Sequence, residues 1–206
     1  MTPLAVTAIT NFILAAEVLF FAGMLLGKSF PPGSPAFSWG MAMFFLGISA
    51  LLGGIDHGFF EIQGDSIVRL VLQRSTWLFI GLVTMCTLIT LGRQFIPEKY
   101  QKIVFIIAVV QLVIFIFLII RYNNFLFVIV QYEPVMLLYL VFQVIGLSDG
   151  SGSATMIVGL VVSFIAAALQ VMKVDNFTPM DHNGLYHVVM MVAVYFLFQG
   201  GLQLKS

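Results

Sequence analysis

The chain has 206 residues, of which 61% belong to the hydrophobic set and only 9% are charged. Soluble domains carry about 25% charged residues, so this composition argues against a soluble protein and predicts an integral membrane protein. Nine basic and nine acidic residues cancel to a formal net charge of zero, which gives no attraction for nucleic acid. The single cysteine, Cys86, excludes an internal disulfide and disfavours a thiolate metal cluster.

Apolar runs of about 20 residues, the length that crosses a bilayer as a helix, occur seven times. They cover residues 4–26, 37–55, 66–91, 102–120, 124–145, 154–172 and 184–204. The connections are short and leave no room for an extramembrane domain. The sequence therefore predicts an all-α fold, a polytopic membrane protein in which residues 1–206 form a single seven-helix transmembrane bundle.

The first run is expected to be a retained helix and not a cleaved signal peptide. It lacks a basic segment before the apolar core, and Glu17 interrupts that core.

The distribution of lysine and arginine near the span ends predicts the orientation of the bundle. On the C-terminal side they are Lys28, Arg93, Lys99, Lys102 and Lys205, and on the N-terminal side Arg69, Arg74, Arg121 and Lys173. Because positively charged ends stay in the cytoplasm, we expect an external N-terminus and a cytoplasmic C-terminus, in a bacterial inner membrane.

Seven spans bring all three histidines to one membrane face, whichever way the bundle is inserted. His57 ends the second span, and His182 and His187 begin the seventh. The polar residues within spans fall in the same half of the membrane: Glu17, Gln73, Arg74, Gln131 and Glu133. Since an ionisable group within a span faces the bundle interior or a wet cavity, we expect a cavity open to this face. Its polar lining is expected to include Glu17, Arg74, Glu133 and Asn183.

Several of these groups also have structural interpretations. Glu17 and Arg74 could form an ion pair, and the residues before Pro134 could form a hydrated helix kink. Asp181 stands where a cap for the last helix is wanted.

Small and aromatic residues have structural interpretations too. The pairs Gly53–Gly54 and Gly200–Gly201 favour close helix contact. Trp39 and Trp77 are typical of membrane-interface anchors.

The histidines allow three kinds of chemistry. Zinc would take His57, His187 and, from a loop, His182, with Asp56 or Asp181 as proton acceptor or as a group that orients a ligand. A haem could be held by two imidazoles from two helices. The imidazoles could also carry protons in a relay.

Two segments resemble the CREST superfamily, which comprises alkaline ceramidases, adiponectin receptors and related transmembrane hydrolases. Gly54-Ile55-Asp56-His57-Gly58-Phe59 is similar to the second-helix element of that superfamily, and residues 183–191 resemble its last-helix element. The resemblance implies a seven-helix fold in which zinc-activated water cleaves an amide or ester bond of a lipid. His57 and His187 match two of the three family zinc ligands.

The sequence departs from the superfamily pattern at three positions. Asn183 stands where the family has a further last-helix histidine, and Gly53 where it has a serine. No aspartate lies inside the third span, and Asp65 at its mouth is the nearest. The third zinc ligand would then have to come from His182 or an acid such as Asp56.

Two hypotheses of different classes follow from the sequence. The first is a metal-dependent hydrolase of lipid amides or esters with a degenerate site. The second is a non-enzymatic seven-helix subunit of a larger membrane complex. Membrane lipids are the expected partners in both, with other membrane subunits in the second.

Overall fold

A computed structural model describes residues 1–175, 177 and 179–204 of the chain. Lys205, used above for orientation, lies outside the described residues. The seven expected helices are α1 (Pro3–Leu26), α2 (Pro35–Ile55), α3 (Ile67–Phe95), α4 (Glu98–Arg121), α5 (Leu126–Ile145), α6 (Ala154–Val171) and α7 (His182–Gln203). All seven are long and apolar enough to cross a membrane, which confirms the prediction of an all-α seven-helix membrane protein.

Side-chain caps set the starts of five helices. Thr2, Ser34, Ser66, Ser153 and Asp181 each accept a hydrogen bond from the backbone N–H three residues later. These bonds satisfy one of the amide groups that a helix leaves unpaired in its first turn. The prediction that Asp181 caps the last helix is confirmed, but His182, predicted in the loop, is the first residue of α7.

The helices surround a core of small and apolar side chains. α1 packs against α2 and α7, α3 packs against α2, α4 and α5, and α6 packs against α7 and α5. α4 lies at the periphery, and most of its isoleucine, valine and phenylalanine side chains are exposed where lipid would surround them. The bundle is therefore asymmetric, with α4 as its most lipid-exposed helix.

Glycines allow the closest helix contacts, as the sequence predicts. A Cβ added at Gly53 would lie 2.9 Å from Nδ2 of Asn11, and one at Gly200 would lie 2.8 Å from the Cα of Met156. One at Gly201 would lie 2.5 Å from Cδ1 of Trp39. Trp39 is only 3% exposed and donates a hydrogen bond to the carbonyl oxygen of Leu197 at 3.0 Å. Its expected role as an interface anchor is wrong, because the missing side chain of Gly201 gives the indole a place inside the bundle.

One membrane face is stepped. We call it the histidine face: α2, α4 and α6 end there, and α3, α5 and α7 begin there. α3 and α4 meet at Gly81, where an added Cβ would lie 2.7 Å from Phe115 and 3.1 Å from Leu112. From this point α3 runs about 20 Å further toward the histidine face and α4 about 10 Å, at 1.5 Å per residue. The first turns of α3 therefore project about 10 Å beyond the end of α4.

α2 also extends further than predicted at this face. After Ile55 the chain continues as a π-helical turn, Asp56–Phe60, and a short 3₁₀ turn, Glu61–Gln63. A π turn widens the helix by one residue and so turns side chains away from the regular helical positions, which is common at functional sites. Here the turn holds both Asp56 and His57.

Candidate functional site

Arg69, in the first turn of α3, is the centre of a charged cluster at the histidine face. Its guanidinium lies 2.9 Å from Oε1 of Glu61, 3.6 Å from Oδ1 of Asp56 and 3.7 Å from Oδ1 of Asp65. Three carboxylates around one guanidinium leave the cluster with an excess of negative charge when His57 is neutral. Arg69 thereby joins the end of α2 to the start of α3.

His57 is paired with Glu61 within the widened end of α2. Nδ1 of the imidazole donates to Oε2 of Glu61, because a carboxylate only accepts, and the other oxygen of Glu61 faces Arg69. This contact fixes the tautomer and leaves Nε2 of His57 as an acceptor. The His57 side chain is 26% exposed, so the ring is held in place without being sealed off.

Asp56 lies beneath this pair and is only 4% exposed. Its Oδ1 faces Nε of Arg69 at 3.6 Å and has no hydrogen-bond partner among the described residues. Burial of a carboxylate is tolerated where a cation lies close by. Asp56 therefore holds Arg69 in place and presents no free carboxylate toward solvent.

His187 reaches the same face from α7 and contacts α1. Its Nδ1 lies 3.1 Å from Oγ1 of Thr10. One turn earlier, the hydroxyl of Thr7 donates to Oδ1 of Asp181 at 2.7 Å. His57 and His187 share no hydrogen bond among the described residues, since His57 pairs with Glu61 and His187 with Thr10. That the two histidines face each other across the bundle stays a prediction.

His182 points to a different neighbour. Its backbone N–H and its Nδ1 both bond to Oδ1 of Asp175, at 2.7 Å and 2.8 Å. These hydrogen bonds, from the ring first and the backbone second, lower the pKa of Asp175, which lies outside the membrane spans. Asn183 also turns away from His187, since its Oδ1 accepts from Nε2 of Gln170 on α6 at 3.0 Å.

The histidines do not fit a zinc site in this arrangement. Within the described residues, no three histidine, cysteine or acidic side chains converge as metal ligands would. Zinc needs at least three protein ligands in tetrahedral directions, and His57 with His187 supplies only two. His182 and Asn183 are bonded to Asp175 and Gln170, and Asp181 is occupied by the cap of α7 and by Thr7.

The expected polar cavity is not formed by its predicted members. Glu17 and Arg74 make no ion pair, because α2 lies between the helices that bear them. Glu17 has no hydrogen-bond or ion-pair partner in the described part of the chain and is partly buried. Glu133 lies near Tyr132 and Tyr186, and α5 continues as a helix through Pro134. The hydrated kink before Pro134 stays a prediction.

A groove is present instead at the step in the histidine face. It has a volume of about 380 Å³ and lies between the projecting turns of α3 and the α4–α5 turn. Its polar lining comprises Asp65, Ser66, Arg69, Gln73 and Asn123, with Ile67 and Leu70 as apolar walls. Glu17, Arg74, Glu133 and Asn183 are not among its lining residues.

Four residues of the site are not predicted from the sequence. Glu61 and Arg69 lie beyond the expected end of the second span and in the first turn of the third, where a charge reads as an interfacial group. Glu61 could be found as the residue four positions after His57, which is one helical turn if α2 continues. Nothing in the sequence singles out Thr7 and Thr10, whose partners are more than 170 residues away.

The chain matches one family model over residues 6–206, described as a family of unknown function, DUF6962. No curated protein and no solved structure matches it.

Proposed function

The chain belongs to this family, DUF6962, and we propose for it the hydrolysis of a lipid ester or amide at the histidine face, with His57 as general base. The observation that supports the proposal is the His57–Glu61 pair held by Arg69. A carboxylate on one imidazole nitrogen orients the ring and stabilises the imidazolium that forms when the other nitrogen takes a proton. The likeness of residues 54–59 and 183–191 to the CREST superfamily favours the same reaction class.

The depth of the pair also suits this reaction. Arg69, which pairs with Glu61, projects beyond the end of α4. In this proposal the end of α4 marks the level where the hydrocarbon layer gives way to lipid headgroups. The ester and amide bonds of membrane lipids lie at that boundary. A base at this level reaches water on one side and the lipid carbonyl on the other.

The reaction step needs only groups that the chain and water supply. Nε2 of His57 takes a proton from water while the oxygen attacks the lipid carbonyl carbon. The tetrahedral intermediate then collapses, the bond to the alcohol or amine breaks, and His57 returns the proton to that leaving group. The products are a fatty acid and the alcohol or amine.

The test is hydrolysis of fluorescent ceramide and phospholipid by the purified protein in lipid nanodiscs. His57→Ala is expected to lower the rate by about 100-fold or more, the usual value of a general base. His182→Ala is the matched control and is expected to retain the rate, because that ring is hydrogen-bonded to Asp175 and not to Glu61. The proposal is wrong if neither lipid is cleaved, or if His57→Ala is as active as the unchanged protein.

Zinc content, measured without chelators, separates this step from metal chemistry. The geometry favours no stoichiometric zinc and a rate unaffected by chelation. A zinc-to-protein ratio near one, lost in His57→Ala and His187→Ala, would instead support the zinc mechanism that the superfamily resemblance implies.

A second candidate, a structural subunit of a membrane complex, is favoured by one observation. The hydroxyls of Thr7 and Thr10 join α1 to Asp181 and His187 of α7, so the polar groups there already serve as interhelical ties. For such a subunit, His57→Ala and His187→Ala lower thermal stability and abolish no activity. Loss of hydrolysis with an unchanged melting temperature would exclude it.

For localisation we propose a bacterial inner membrane with the N-terminus outside and the C-terminus in the cytoplasm. The support is the excess of basic residues at the face opposite the histidines. A C-terminal green fluorescent protein fusion is expected to fluoresce and a C-terminal alkaline phosphatase fusion to be inactive. The reverse pair of results would invert the orientation.

A further inference from the structure

We propose that the groove at the step of the histidine face binds the headgroup of a zwitterionic, amine-bearing phospholipid. This inference does not depend on catalysis by His57, which is absent from the lining of the groove.

The depth of the groove, at the end of α4, favours a lipid headgroup as its ligand. α4 is apolar along its length and ends at Arg121, whose guanidinium lies 5.3 Å from the centre of the Tyr122 ring. A basic residue beside an aromatic one is the usual anchor at the boundary between hydrocarbon and headgroups. Since Asn123 follows directly and lines the groove, the groove opens at headgroup level.

A lipid can reach the groove from within the bilayer. The first turns of α3 rise beside the groove, while α4 ends and α5 begins at its floor. The exposed apolar side chains of α4 continue from that floor into the hydrocarbon layer. A lipid can therefore lie with its acyl chains along α4 and its headgroup against α3, without first leaving the membrane.

The charge at the groove favours a headgroup that bears an amine. Asp65 is fully exposed at the groove, and Arg69, the one cation among the described residues that line it, already faces three carboxylates. The excess of negative charge attracts an ammonium group and repels an anionic headgroup. Amide groups of Gln73 and Asn123 supply donors for the phosphate oxygens of the same lipid.

The test is native mass spectrometry of the full chain in detergent with equal amounts of phosphatidylethanolamine and phosphatidylglycerol. The unchanged protein is expected to retain phosphatidylethanolamine preferentially. Asp65→Asn is expected to weaken that preference by about fivefold, the upper range for one exposed charge pair. Glu98→Gln, the same change at the opposite end of α4, is the matched control and is expected to keep the preference.

Asp65→Lys makes the test independent of folding. Reversal of this charge is expected to shift the preference toward phosphatidylglycerol, which a misfolded protein would not do. Free phosphoethanolamine, added as competitor, shows whether the headgroup alone is recognised; displacement of the lipid supports the groove as the site. Equal retention of the two lipids by the unchanged protein, or no change on Asp65→Lys, would overturn the proposal.

Discussion

At the scale of single residues, side chains of the same type have different partners in the structure. The three histidines have three separate partners: Glu61 for His57, Asp175 for His182 and Thr10 for His187. In a chain with 9% charged residues, each such partner stabilises a group that is costly to bury.

Glycine 201 is the residue on which the placement of Trp39 depends. Gly201→Ala would put a Cβ 2.5 Å from the indole, so we expect a loss of about 1–3 kcal/mol, the usual cost of overpacking. Gly23→Ala is the matched control, since nothing lies within 4 Å of an added Cβ there. Thermal unfolding in detergent measures both, and equal melting temperatures for the two variants would contradict the proposed contact.

At the scale of helices, the polar ties between α1 and α7 join segments that are far apart in the chain. Thr7 donates to the carboxylate that also caps α7, so one hydroxyl supports both the interface and the start of the helix. Asp175 and His182 add a second tie at the same helix start.

The tie of α1 to α7 predicts a cooperative loss of stability. Thr7→Val is expected to cost about 1–2 kcal/mol because it leaves the Asp181 carboxylate without this donor. Thr155→Val removes only a solvent-exposed hydrogen bond from Nε2 of Gln203, so it is expected to change stability little. In a double-mutant cycle with Asp181→Ala, additive losses would show that the two side chains do not interact.

The start of α7 is expected to respond to acid through Asp175. Because His182 lowers its pKa, its contribution to stability is present above the unfolded pKa of about 4 and is lost as the pH falls through the lower folded value. Asp175→Asn should therefore lower the melting temperature at pH 7 and have no effect once the acid is protonated in both states. A melting-temperature difference that stays constant down to pH 3 would contradict this linkage.

At the scale of the whole molecule, the unequal reach of the helices is the main finding. α3 projects beyond α4, so Arg69 lies beyond the end of α4 although it belongs to one continuous helix of 29 residues. The charged cluster around Arg69 therefore forms at the end of the bundle, whereas Gln131, which accepts a hydrogen bond from Thr84, lies deeper within it.

Cysteine labelling tests the step directly, since the natural Cys86 is buried. Ile67 and Val113 are 74% and 61% exposed on the bundle surface. A membrane-impermeant maleimide is expected to label Ile67→Cys in intact bilayers, because that position projects into water. Val113→Cys is expected to stay unlabelled within lipid, and labelling of both or of neither would contradict the stepped face.

The seven helices, the shared face of the histidines, the cap at Asp181 and the close contacts at glycine can all be predicted from the sequence. These features follow from local composition, from the length of apolar runs and from the alternation of direction at each crossing. The pairing of His57 with Glu61, of Arg69 with the three carboxylates and of His182 with Asp175 becomes visible only in the folded chain. Those pairings depend on how far each helix projects and on where α2 widens into a π turn, and packing between distant segments sets both.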